Sequence, residues 1–307
     1  MAVAEPVISI RGLRKSYDEL EAVRGIDLDV LPREIFAVLG PNGAGKTTTV
    51  EILEGYRDRD GGEVSVLGVD PARPTPAWRE RIGIVLQETT LEPALTVRES
   101  LQQYAGYYRE PREVEEVIGL VGLEDQADSR ARKLSGGQKR RLDVGIALVG
   151  DPDLLFLDEP TTGFDPSARR QAWEMVAGLR DLGKTVLLTT HYMEEAQVLA
   201  DRVAIISEGR IVALDTPENL GDRRQLPTTI TFTVPAGTGL GDLEGIGQTL
   251  SQTGGEDGRI EISISTHDPV ENLNRITAWA LETGLEIGQL EVRRPSLEDV
   301  YLGLTDA

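Results

Sequence analysis

The stretch that most constrains the chain is IFAVLGPNGAGKTTTVEILEG, residues 35–55. Its opening apolar run suits a strand covered on both faces, because a strand with one wet face would alternate. The segment KTTTVEIL then reads as a helix closed by Gly55. Between strand and helix, the spacing G-x-x-x-x-G-K-[ST] is met by Gly40, Gly45, Lys46 and Thr47. Gly40, Gly43 and Gly45, with Pro41, Asn42 and Ala44 between them, let backbone N–H groups wrap a phosphate chain at a helix start. Lys46 reaches the β- and γ-phosphates, the Thr47 hydroxyl takes Mg²⁺, and Thr48 lies beside it in the same turn. The prediction is an α/β core of P-loop type that binds a nucleotide.

The remaining pattern builds around that unit. VISIRG and IDLDV alternate and read as half-buried strands of an antiparallel β subdomain. EVSVLG and RIGIVLQ are further strands, and residues of about 91–149 switch to helical periodicity, a helical subdomain inserted into the core. DLLFLDEP, KTVLLTT, RVAIIS and RIVALD then alternate with helices, which predicts a parallel sheet. Near Asp222 the pattern breaks. The expected division is therefore residues 1–222 as the nucleotide-binding domain and 223–307 as a small α+β accessory domain, built from TITFTV, IEISIS, a helix over PVENLNRITAWALETG, and EIGQLEV.

Three further sites carry chemistry. LLFLDEP ends an apolar strand in two carboxylates, so Asp158 is placed to help hold Mg²⁺ and Glu159 to polarise water. Gln87 and His191 end their own strands on the side where ligands bind in doubly wound sheets, and the Gln87 amide oxygen is within reach of Mg²⁺ or the attacking water. In LSGGQ, Ser135 can cap a helix while Gly136 and Gly137, followed by Gln138, leave N–H groups open. That is either a second anion site or a capped helix and no more. The basic run Lys139, Arg140 and Arg141 is expected in part to face solvent or neighbouring carboxylates. Leu91, Leu95 and Val97, within residues 88–99, either line a docking groove or belong to the core of the helical subdomain, where Leu101, Tyr104 and Tyr108 also belong by their spacing.

These pieces, in order, resemble the nucleotide-binding subunit of an ATP-binding cassette transporter. Tyr17 stands at the aromatic position before the P-loop, GFDP at the loop that carries Asp165, and Phe164 replaces the family's usual leucine. The resemblance implies ATP and Mg²⁺ as cofactors, with Lys46, Gln87, Glu159 and His191 catalytic. It implies a homodimer in the ATP-bound state in which Ser135, Gly136, Gly137 and Gln138 of one chain face the nucleotide of the other, Asp165 lies at that interface and Tyr17 stacks on adenine. The ending RPSLEDVYLGLTDA resembles the daunorubicin-resistance branch, whose permease is a separate integral membrane protein.

Composition narrows the partners. Acidic residues outnumber basic ones 52 to 32, a formal charge of −20, which opposes broad binding to nucleic acid or anionic lipid. The alternative of an ATPase acting on nucleic acid or ribosomes is therefore disfavoured. No apolar stretch approaches a membrane span, so the expected location is cytoplasmic, held at the inner face of the membrane through the permease. With no cysteine and two histidines, any metal should be a hard cation on oxygen ligands.

Overall fold

Alternating apolar residues at the N-terminus form a hairpin. In this computed structural model, which describes residues 5–87, 91–221, 226–238, 248–254 and 258–305, β1 (Ile8–Tyr17) pairs antiparallel with β2 (Leu20–Val30). The apolar run becomes β3 (Ile35–Leu39), with all five residues buried, and leads into α1 (Lys46–Leu53). β4 (Gly61–Val66) returns to the first sheet, whose order is β2-β1-β4. A short α2 (Pro76–Arg79) precedes β5 (Ile82–Val85). The helical segment holds α3 (Val97–Ala105), α4 (Val114–Leu120) and α5 (Gly136–Leu148). Then follow β6 (Leu154–Asp158), α6 (Pro166–Asp181), β7 (Thr185–Thr189), α7 (Met193–Leu199), β8 (Arg202–Ser207) and β9 (Arg210–Asp215).

The central sheet has the order β5-β6-β7-β3-β8-β9. Its first five strands are parallel, as predicted, but β9 runs antiparallel to β8. Only Glu208 and Gly209, both at positive φ, separate the paired residues Ser207 and Arg210. A connection that short cannot make the crossover a parallel pair needs. The four strands β5, β6, β7 and β3 end on one edge, which brings Gln87, Asp158 with Glu159, His191 and the P-loop together. Ile8, Leu13, Phe36, Phe156 and Leu187 share one core beneath them.

Two units divide the chain: Met1–Pro217 with Leu304–Ala307, and Glu218–Gly303. The expected boundary at Asp222 lies outside the described residues. The second unit contains β10 (Thr228–Pro235), β11 (Gln248–Gly254), β12 (Arg259–Thr266), α8 (Pro269–Thr283), β13 (Gly288–Arg293) and all but the last residues of α9 (Leu297–Thr305). Its sheet order is β11-β12-β10-β13, antiparallel throughout. Ile276 and Trp279 of α8 pack on Ile230, Phe232, Ile262 and Ile264. Among the described residues no helix is long and apolar enough to cross a membrane.

Candidate active site

The P-loop is wound tightly around its own lysine. Gly45 takes φ 103°, and a Cβ there would fall 2.4 Å from the Ala22 carbonyl oxygen, so glycine is required by both conformation and space. No side chain caps α1. Lys46 is buried, and its Nζ donates to the Gly40 carbonyl at 2.7 Å and the Pro41 carbonyl at 3.1 Å. Burial holds the ammonium below its ordinary pKa, against the opposing pull of Glu159 and Asp158. Thr47 is exposed at the helix start. Tyr17, at the end of β1, sets its hydroxyl 3.5 Å from Thr48 Oγ1, and its ring has the Arg57 guanidinium 5.2 Å from the centroid.

At the neighbouring strand ends a carboxylate is gripped from three sides. Gln87 Nε2 donates to Glu159 Oε2 at 3.0 Å, Thr162 Oγ1 donates to the same oxygen at 3.0 Å, and His191 Nδ1 lies 3.2 Å from Oε1. Glu159 itself sits at φ 44°, a left-handed conformation that costs a non-glycine residue about 1–2 kcal/mol. Its N–H donates to the Thr189 carbonyl at 3.1 Å and also lies 3.2 Å from Thr189 Oγ1, which holds the strained turn. The Thr189 hydroxyl donates to Asp158 Oδ1. Predicted residues Gln87, Asp158, Glu159 and His191 thus form one constellation.

The start of α5 is built differently. Ser135 Oγ accepts from the Gln138 N–H at 3.3 Å, and Gln138 Oε1 accepts from the Ser135 N–H at 2.9 Å, a reciprocal capping box. A Cβ on Gly136 would meet nothing within 4 Å, and neither Gly136 nor Gly137 has positive φ. Among the described residues there is no steric reason for glycine at position 136. A cavity of about 710 Å³ runs from Ser135 and Gly136 to Gln87, Glu159 and Asp165, and no P-loop residue lines it. Asp165 caps α6, accepting from the N–H groups of Ser167 and Ala168, both at 2.9 Å.

A daunorubicin resistance ATP-binding protein of Streptomyces coeruleorubidus is 36% identical over 313 residues, covering 99% of this chain and 97% of the relative. The chain belongs to the ABC transporter ATP-binding proteins. The family model for ABC transporters matches residues 23–162, and one for the C-terminal domain of ABC transporter domain-containing proteins matches 228–296. A Nod factor export ATP-binding protein of Rhizobium etli is 40% identical over 308 residues, covering 97% of this chain and 93% of its own. The solved structure of cbiO1 from Clostridium perfringens, part of an ABC transporter complex, is 28% identical with TM-score 0.65 and covers 70% of this chain and 90% of its own. This ABC cassette binds ATP and is an ATPase.

Several residues of the cassette escaped the sequence reading. Thr189 at the end of β7 and Thr162 in the turn after β6 carry only a hydroxyl, a signal too common to single out. Arg140 belongs to the basic run expected in part to face solvent or neighbouring carboxylates. Lys139 is exposed as expected, but Arg140 is only 8% exposed and donates to main-chain carbonyls. Glu195 is fully buried, accepting from Thr161 Oγ1 at 2.8 Å and Trp173 Nε1 at 3.1 Å, and burial pushes its pKa up. The docking residues divide. Val97 is fully buried and belongs to the core, whereas Leu91 and Leu95 line a small cavity of about 170 Å³ with Tyr104 and Ile146; residues 88–90 of that segment lie outside the described residues. Leu101 is core as predicted, but Tyr104 and Tyr108 border a groove of about 790 Å³ with Ile84, Leu86 and Glu54.

Proposed function

We propose that this chain is the ATP-hydrolysing subunit of an exporter, driving a separate membrane permease, with drugs or antibiotics as the cargo class. The observation that carries the catalytic part is the Glu159 carboxylate held between Gln87, Thr162 and His191 at the mouth of the sheet. A carboxylate fixed there can orient and polarise water beside a γ-phosphate delivered by the P-loop. Lys46 leaves the Gly40 and Pro41 carbonyls for phosphate oxygens, and His191 supports the charge that develops on them.

The residues fit Mg²⁺. Thr47 supplies a hydroxyl and Asp158 a carboxylate, both hard oxygen donors. Mg²⁺ binds through one carboxylate and a hydroxyl with substrate phosphates. Thr47 and Asp158 would hold it, with Gln87 alongside, and it would offset charge on the β- and γ-phosphates.

Open space at Gly136, and a cavity with no P-loop residue in it, support reading Ser135, Gly136, Gly137 and Gln138 as the cover for a second chain's nucleotide. The resulting dimer carries Asp165 at its interface and Tyr17 against adenine. The permease is assigned to the groove beside Ile84, Leu86 and Tyr104, whose apolar side chains are 38%, 55% and 39% exposed. Drug efflux follows the daunorubicin resistance relative. Glu159→Gln tests the catalytic core. The variant should retain ATP, accumulate as a dimer and lose hydrolysis by about 100-fold or more; hydrolysis at the normal rate would remove Glu159 from the mechanism.

A further inference from the structure

Arg140 lies on α5, one helical turn beyond the Ser135–Gln138 capping box, and it is 8% exposed. A buried guanidinium must satisfy its donors locally or destabilise the fold. Here the partners are main-chain carbonyls from two separate strand ends. Nη1 donates to Leu86 O, Nη2 donates to Asp158 O, and Nε donates to Pro160 O at 3.3 Å. Leu86 immediately precedes Gln87. Asp158 and Pro160 flank Glu159. The two side chains that meet at 3.0 Å, Gln87 and Glu159, are therefore carried by backbone that one guanidinium pins from behind. No other donor from α5 reaches both strand ends among the described residues; the adjacent Arg141 instead donates to Gly122 O at 2.7 Å. Glu159 is held at φ 44°, a conformation that relaxes unless its surroundings fix it.

We propose that Arg140 is a positioning residue for hydrolysis: its guanidinium ties α5 to the backbone on either side of Glu159 and beside Gln87, and so sets the contact between these two side chains. The proposal rests on the reading of Gln87 and Glu159 as the hydrolytic pair. It also gives α5 a mechanical link to the catalytic carboxylate of its own chain. A movement of the Ser135 end reaches Glu159 through one side chain. Lysine cannot replace it, because a single ammonium lacks the planar fork that spans three carbonyls.

The test uses the full chain with steady-state hydrolysis, ATP binding and thermal melting measured together. Arg140→Met should lower kcat by about tenfold or more while KM and ATP affinity stay within about twofold. Arg140→Lys should recover no more than about threefold of that loss, and Arg141→Met should hydrolyse ATP normally. In a Gln87→Ala background the added cost of Arg140→Met should shrink to about threefold or less, because both changes break one contact. A folded Arg140→Met with normal kcat, full additivity with Gln87→Ala, or an equal loss in Arg141→Met would each overturn the proposal. If Arg140→Met does not fold, Arg140→Lys decides: unchanged kcat overturns it, and lowered kcat with KM kept supports it. Unfolding of both variants makes the residue structural and also overturns it. Glu159→Gln measured alongside separates the two claims. Normal hydrolysis there defeats the hydrolytic reading, whereas an inactive Glu159→Gln beside a normal Arg140→Met defeats only the role of Arg140.

Discussion

The N-termini of α1 and α5 begin from similar ingredients, glycines before a helix with a basic residue close by, and reach opposite solutions. At α1 the cap residue is Gly45, no side chain satisfies the helix start, and Lys46 turns back onto two carbonyls of its own loop. At α5, Ser135 and Gln138 satisfy each other's backbone N–H groups, and Arg140, two residues further on, is buried against the strand ends. The first terminus has no side-chain cap. The second is complete as a helix cap, yet keeps a glycine whose added Cβ would meet nothing within 4 Å among the described residues. On the proposed function, α1 meets the nucleotide of its own chain and α5 that of a second chain.

Lys46→Ala should break the first half of that contrast with the largest effect. It removes the one cation inside the loop, so hydrolysis should fall by about 100-fold or more and ATP affinity of the isolated chain should fall with it, read by initial rates and equilibrium titration. Ser135→Ala is the matching change at α5. Loss of the cap should cost about 1 kcal/mol in a denaturant titration, and hydrolysis should drop by about tenfold, while ATP affinity of the monomer stays within about twofold. An equal loss of affinity in both variants would erase the difference between the two termini.

The smallest effect sits at the opposite end of α1. Glu54, its C-terminal cap residue, lines the groove, and burial, then the charges of Asp158 and Glu51, push its pKa up from 4.5 to about 8. The folded chain therefore keeps a proton that the unfolded chain releases. The stability this confers is full below about pH 4.5 and is lost as pH rises through about 8. Glu54→Gln should flatten that dependence and leave the variant about 1–2 kcal/mol more stable than the parent at pH 9, the discount reflecting water in the groove. Parallel stability curves for the two proteins between pH 5 and about pH 9 would contradict the assignment.

The same contrast explains what the sequence could disclose. Gly40, Gly45, Lys46 and Thr47 were legible because phosphate binding demands fixed types at fixed spacing, and β3 because a doubly covered strand must be apolar throughout. Asp158, Glu159, Gln87 and His191 were legible once a P-loop placed them on one sheet edge. The antiparallel turn of β9 was not, since RIVALD reads alike in either direction. Nor was the burial of Arg140: its partners are carbonyls, which every residue carries, so no pattern of side chains announces them. Val97 belongs to the core because its neighbours on α3 are covered by α4 and α5, a tertiary fact that helical spacing leaves open. In the second unit, QTLSQTG lacks the apolar alternation that marks β10 and β12, and β11 went unpredicted there.

The central claim is that α5 of one chain completes the nucleotide site of another. Mixing Lys46→Ala chains with Ser135→Ala chains tests it directly. A mixed dimer would hold one site with an intact P-loop from the Ser135→Ala chain and an intact Ser135 from the Lys46→Ala chain. The account predicts that a one-to-one mixture hydrolyses ATP several times faster than the average of the two preparations measured apart. A mixture no faster than that average would contradict it, and would place Ser135 in the service of its own chain.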